Sequence, residues 1–162
     1  MSEELVLRPA RADEAPALSA LCMASKAHWG YDAAFLAACR EELTLRPADL
    51  DPARLAVAER AGAPAGVVQI SVAGEVAELE KLFVAPDRIG GGVGAALLSW
   101  AAATAHRLGA RRLRIESDPQ AVPFYARMGA RQVGEAASGS IPGRMLPLLE
   151  LQLRVPGATF GA

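Results

Sequence analysis

Val84-Ala85-Pro86-Asp87-Arg88-Ile89-Gly90-Gly91-Gly92-Val93-Gly94-Ala95-Ala96-Leu97-Leu98 joins an apolar, strand-like run to a strongly helical one through five residues, four of them glycine. Such a junction leaves bare backbone N–H groups at the first turn of a helix with no side chains in the way, an arrangement suited to a phosphate or pyrophosphate. Four glycines in five positions also cost chain entropy that packing alone seldom requires, so a turn without a ligand is the weaker reading.

The flanking sequence supplies the rest of the fold. Leu5 to Arg8 reads as a short strand, and Asp13 offers a cap for a helix from about Glu14 to Ala24. Ser25 to Tyr31 interrupts that pattern; a second helix runs from Asp32, as cap, to about Leu43. The period then changes. Leu55–Ala58, Val67–Val72 and Val76–Val84 read as an antiparallel meander with turns near Ala61–Pro64 and Gly74. A long helix from about Gly92 to Leu108 stops at Gly109, and Arg112–Glu116 is the next strand, which makes one βαβ crossover. A short helix over about Ala121–Met128 and strands near Arg131–Gly134 and Met145–Leu153 complete the chain. The expected class is α/β (or α+β): a mixed, mostly antiparallel twisted sheet of about seven strands flanked by about four helices. Residues 1–155 read as a single domain, and the Gly/Ala-rich residues 156–162 as a frayed tail.

Composition excludes several classes. The 162 residues carry a net charge of −1, so no global field favours nucleic acid or an anionic membrane. Arg107, Arg111, Arg112 and Arg114 gather locally and read first as a solvated helix end and strand edge. Cys22 and Cys39 sit in Ala-rich helical segments as small buried hydrophobes, and no ligand cluster supports a metal site. No signal peptide or membrane span is visible, which makes a cytoplasmic location the expectation. Leu146, Leu148, Leu149 and Leu151 leave apolar material that could serve a homodimer or equally the core.

Three phosphate-binding patterns compete for the glycine junction. A P-loop needs Lys followed by Ser or Thr, whereas Ala95 and Ala96 follow the last glycine. A dinucleotide fingerprint matches formally through Gly90, Gly92 and Ala95, with Glu116 ending the next strand about 20 residues on. That pattern would imply a nicotinamide-dependent oxidoreductase. It wants its first glycine at the strand end, yet Ala85 to Ile89 intervene, and there is one crossover rather than a series.

The third pattern carries a resemblance. Val84-x-Pro86, then Gly92-Val93-Gly94-x-x-Leu97-Leu98, resembles the acyl-CoA-binding motif of the GNAT superfamily of N-acetyltransferases, with Ile89 in place of the usual Gln or Arg. Asp118-Pro119-Gln120-Ala121-Val122-Pro123-Phe124-Tyr125, followed by Gly129, is similar to the family's Asn-x-x-Ala-x-x-x-Tyr, with Asp118 for Asn. The order of elements matches from Leu5 to Leu153.

The resemblance implies transfer of an acetyl group from acetyl-CoA (or binding of CoA) to an amine of a small molecule or protein. It places the cofactor on Leu82, Phe83, Val84, Ile89, Gly90, Gly91, Gly92, Val93, Gly94, Ala95, Asp118 and Tyr125. Tyr125 matches the family's general acid, since a phenol can protonate the departing sulfur. An ammonium acceptor must also lose a proton before it can attack. Glu78 and Glu80 lie two apart on one strand and so share a face, and Glu116 ends the neighbouring strand. Glu80 is the preferred base through a water, then Glu116; each also reads as a solvated carboxylate. The implied acceptor pocket takes Lys26, Trp29, Tyr31, Glu78 and Arg144, of which Arg144 could meet a substrate carboxylate. A non-catalytic acyl-CoA sensor is the alternative within the same fold.

Overall fold

The computed structural model describes residues 4–153, so the tail reading for 156–162 lies outside the described residues. Strand β1 (Leu5–Arg8) is followed by helices α1 (Ala15–Ala27) and α2 (Ala33–Leu43). The meander β2 (Leu55–Arg60), β3 (Ala63–Ala73) and β4 (Val76–Val84) comes next. Then come α3 (Val93–Arg107), β5 (Arg112–Glu116), the short α4 (Val122–Arg127), β6 (Arg131–Ala137) and β7 (Met145–Gln152). The strands form one sheet in the order β1-β2-β3-β4-β5-β7-β6, antiparallel except between β4 and β5.

Alternating side chains divide the core between the two faces. Ala56, Ala58, Val68, Ile70, Leu113, Ile115 and Leu149 pack with Val93, Leu97, Leu98 and Ala101 of α3 and with Tyr125 of α4. On the opposite face Leu55, Val57 and Val67 meet Leu18 and Cys22 of α1 and Cys39 and Leu43 of α2. Both cysteines are buried and free, and burial pushes the Cys22 thiol up to about 12. Leu149 and Leu151 belong to the first of these cores.

The first helix begins differently from the sequence reading. Asp13 does not cap it; a 3₁₀ turn over Ala12–Glu14 comes first, and α1 starts with Glu14 as its flanking residue. Glu14 is engaged elsewhere. Arg8 donates to both of its carboxylate oxygens at 2.8 Å, and the Arg11 amide donates at 2.7 Å. Arg8 reaches Glu59 on β2 as well, at 2.9 Å, which ties β1, β2 and the start of α1 together.

The hydrogen bond from Arg8, against the opposing effect of burial, holds the Glu14 carboxyl down to about 2 from an ordinary 4.5. A depressed carboxyl contributes its stability above the ordinary value and loses it as pH falls through the folded one. Glu14→Gln therefore costs about 3 kcal/mol near neutrality by leaving Arg8 half-paired. Urea unfolding should show that difference shrinking between pH 4.5 and pH 2.

Gly66 brings β3 close to the start of α3. A Cβ there would lie 2.8 Å from the Phe83 carbonyl oxygen and 2.8 Å from Leu97 Cδ1. Gly66→Val is expected to lower the melting temperature, at a cost of about 3 kcal/mol, because one of the obstructing atoms is backbone and cannot turn aside.

The sheet opens where the parallel strands part. β4 and β5 pair only over Val76–Arg112, Ala77–Leu113 and Glu78–Arg114. β5 continues along β7 as far as Glu116–Leu148, and β4 continues along β3 as far as Val84–Gly66. From Leu79 onward β4 has no β5 partner, so one sheet edge is exposed within the fold.

Candidate active site

A cleft of about 560 Å³ fills the parting between β4 and β5. Its walls are Leu79 to Val84 on one side and Ile115 to Asp118 on the other. The glycine junction and α4 line one part, while Ser25 and Lys26 at the end of α1, Trp29 of the α1–α2 link, and Ser138, Ser140 and Arg144 of the β6–β7 loop line another.

The glycine junction is shaped by backbone. Pro86–Arg88 makes a 3₁₀ turn after β4, Gly90 has φ +89° and Gly92, the residue preceding α3, has φ +83°. No side chain caps α3, so its first amides are left to an incoming acceptor. At Gly92 an added Cβ would meet nothing within 4 Å, and the residue is required by conformation rather than by space. Gly94 is constrained by space, with a Cβ position 3.2 Å from the Phe124 ring of α4. Arg60 at the end of β2 braces the loop, as both of its terminal nitrogens donate to the Gly91 carbonyl at 3.2 Å. Sequence reasoning missed Arg60; nothing local links it to Gly91, and only the pairing of β2 with β3 brings it there.

Tyr125 lines the cleft from α4 and is buried. Its ring packs edge-on against Phe124 at 5.0 Å, and its hydroxyl makes no hydrogen bond among the described residues. Burial, and secondarily the charge of Asp118, raise its pKa, so the phenol keeps its proton throughout the physiological range.

The carboxylates are distributed unevenly. Glu80 and Glu116 line the cleft, and Glu78 does not. Glu80 falls in a bulge: Gln69 pairs with Lys81 and Ile70 with Leu79, so Glu80 is left without an opposite residue. Across the bulge the strand's alternation reverses. Ala77 and Leu79 face the α3 core before it, Leu82 and Val84 after it. Ser71 donates to Glu80 at 2.8 Å, and Glu78 stands opposite Ser71 with Arg114 Nε 3.4 Å away. Burial raises the Glu78 pKa, Arg114 opposes that, and the nearby Glu116, Glu80 and Glu150 add to it.

Asp118 is the hub of the other wall. Tyr31 donates to its Oδ2 at 2.6 Å and Lys26 at 3.1 Å, while the Gln120 amide donates to Oδ1 at 2.9 Å. Burial opposes its ionisation, but these donors outweigh it and hold the carboxyl below the ordinary range. Four of the sequence-predicted residues, Lys26, Tyr31, Asp118 and Arg144, are thus brought into one cluster from three distant segments. Trp29 lines the cleft beside them. Glu42 of α2, not foreseen, also lines the cleft and accepts from Ser140 of the β6–β7 loop. Among the described residues no group of His, Cys, Asp and Glu could hold a metal ion, and no helix is long and apolar enough to cross a membrane.

The sheet is parted between two parallel strands, and an uncapped, glycine-led helix starts beside the parting. The family model for GNAT acetyltransferases matches residues 23–130, and the chain belongs to that family. Among solved structures, a GCN5-related N-acetyltransferase of Rhodopseudomonas palustris aligns with TM-score 0.76 and 21% identity, covering 94% of this chain and 98% of that one. The PaiA N-acetyltransferase from Thermoplasma acidophilum, in complex with coenzyme A, aligns with TM-score 0.71 and 16% identity over 92% and 99%. The Salmonella typhimurium protein yncA, with its cofactor acetyl-CoA, aligns with TM-score 0.66 and 19% identity over 98% and 99%. At these identities the likeness is one of fold. No curated protein matches the sequence.

Proposed function

We propose that residues 1–155 act as one acetyltransferase domain that moves an acetyl group from acetyl-CoA to the amine of a small molecule or protein. The observation that carries this reading is the coincidence of the β4–β5 parting with an uncapped helix start at its rim. The fit is good on both counts: orphaned amides suit a pyrophosphate, and the exposed edge of β4 suits an extended amide-bearing arm.

Acetyl-CoA supplies an acetyl thioester whose sulfur departs as a thiolate. The amides from Gly90 to Ala95 hold the phosphates, with Arg60 keeping the Gly91 peptide in place. Leu82, Phe83 and Val84 offer their free backbone groups to the arm; as the C–N bond forms and the C–S bond breaks, Tyr125 gives a proton to sulfur and regains the one released by the acylated nitrogen. Glu80, or Glu116 across the cleft, takes the proton of the ammonium acceptor through a water, leaving the neutral amine that can attack.

Titration calorimetry with acetyl-CoA tests the binding half, with an expected Kd of about 1–100 μM, near the usual range for a co-substrate. Heat-silent mixing with no thermal protection would sink it. A thiol-release assay across amino acids, polyamines, aminoglycosides and peptides tests transfer, and Glu80→Gln should lower kcat by about 100-fold at pH 7. Because Tyr125 stays protonated, activity should rise with pH and show no fall up to pH ~9 from loss of the acid. A descending limb below pH 9 that disappears in Tyr125→Phe would contradict the raised pKa of the phenol, and one that persists in that variant would belong to another group.

A further inference from the structure

Arg144 holds more hydrogen-bonding capacity than the protein uses. Its side chain is 20% exposed and lies at the cleft wall. Its guanidinium rests on a stacked aromatic pair, 5.2 Å from the Tyr31 ring and 4.9 Å from the Phe35 ring, the two rings being 4.0 Å apart and nearly parallel. One nitrogen donates to the Tyr31 hydroxyl at 2.8 Å. That hydroxyl in turn donates to Asp118 Oδ2, the same oxygen to which Lys26 donates.

Asp118 thus already accepts three hydrogen bonds. Two donors fill Oδ2, a backbone amide fills Oδ1, and Arg144 stands 3.8 Å off, beyond hydrogen-bond range. Two cations share one carboxylate; one hydrogen of Arg144 Nη2 goes to Tyr31, and its second hydrogen, together with Nε or Nη1, which have no partner among the described residues, is left for an incoming acceptor. The hydrogen bond to Tyr31 and the edge of the ring pair hold the guanidinium in place, and its planar donors match the two oxygens of a carboxylate. Glu116 lies two residues from Asp118 along the same wall, about 7 Å away for extended chain. Arg144 and Glu116 both line the cleft, which thus presents an anion reader and a carboxylate that favours an amine to one ligand.

We infer that the acceptor is a small amine carrying its own carboxylate, an amino-acid-like molecule whose anionic group is read by Arg144 with Lys26 in support. This rests on the acetyltransferase reading above and names the substrate class for the same site.

The test pairs each amino acid with its decarboxylated amine, for example methionine with 3-(methylthio)propylamine and tryptophan with tryptamine, in the thiol-release assay. The amino acids should be preferred by about 30-fold or more in kcat/KM, the worth of a charge-assisted bidentate contact. Arg144→Gln should erase most of that preference through KM for the amino acid. Arg144→Lys, which keeps charge but not the fork, should retain an intermediate preference. Equal or better turnover of the decarboxylated amines, or a loss in Arg144→Gln that is the same for both members of a pair, overturns this inference and leaves transfer intact. Absence of thiol release with every amine, despite acetyl-CoA binding by calorimetry, overturns transfer itself and this inference with it.

Discussion

Tyr125→Phe is expected to lower kcat for thiol release by about 100-fold or more while KM for acetyl-CoA changes little, the pattern of a group needed only as the leaving thiolate develops charge. The substitution removes one oxygen and keeps the ring that packs against Phe124. The hydroxyl makes no hydrogen bond among the described residues, so its loss leaves no protein group unpaired and stability should change by less than about 1 kcal/mol. Stopped-flow and steady-state thiol release, with a melting curve beside them, separate the two effects. A kcat unchanged within a few-fold would remove Tyr125 from the chemistry.

Gly92→Val is expected to weaken acetyl-CoA binding by about 30-fold or more, since a β-branched residue is strained at positive φ and the strain must be relieved by moving the first turn of α3. The site has room for the side chain, as no atom lies within 4 Å of the Cβ position, so the effect comes through the backbone. That separates it from Gly66→Val, where packing fails and the whole fold is weakened. Calorimetry on Gly92→Val should show weak binding in a protein that still melts cooperatively. Wild-type affinity in that variant would mean that the first turn of α3 does not grip the ligand.

The sequence was most legible where a local pattern determines a local structure. The apolar end of β4, the glycine run and Gly109 after α3 mark the crossover without help from distant residues. Asp32 caps α2 as its spacing predicts, accepting from the Phe35 amide at 2.8 Å. Asp13 misled because the competing partner of this turn, Arg8, is a strand residue that takes Glu14 and sets the 3₁₀ turn first. The bulge at Glu80 was invisible for a similar reason: an extra residue changes nothing in composition, and only the register against β3 reveals it.

Among site residues, long-range pairing decided what could be read. Lys26, Tyr31, Asp118 and Arg144 stood out singly by chemistry, but their convergence on one carboxylate depends on the α1–α2 link and the β6–β7 loop meeting over the end of β5. Arg60 and Glu42 gave no sign, since an arginine at a strand end and a glutamate on a helix are ordinary surface residues until the loops they brace are in place.

In a crystal structure with acetyl-CoA bound, pyrophosphate oxygens are expected within hydrogen-bond distance of the amides between Gly92 and Ala95, the arm along Leu82 to Val84, and the sulfur within about 3.5 Å of the Tyr125 hydroxyl. Phosphates seated away from the start of α3, or a sulfur remote from Tyr125, would contradict that placement.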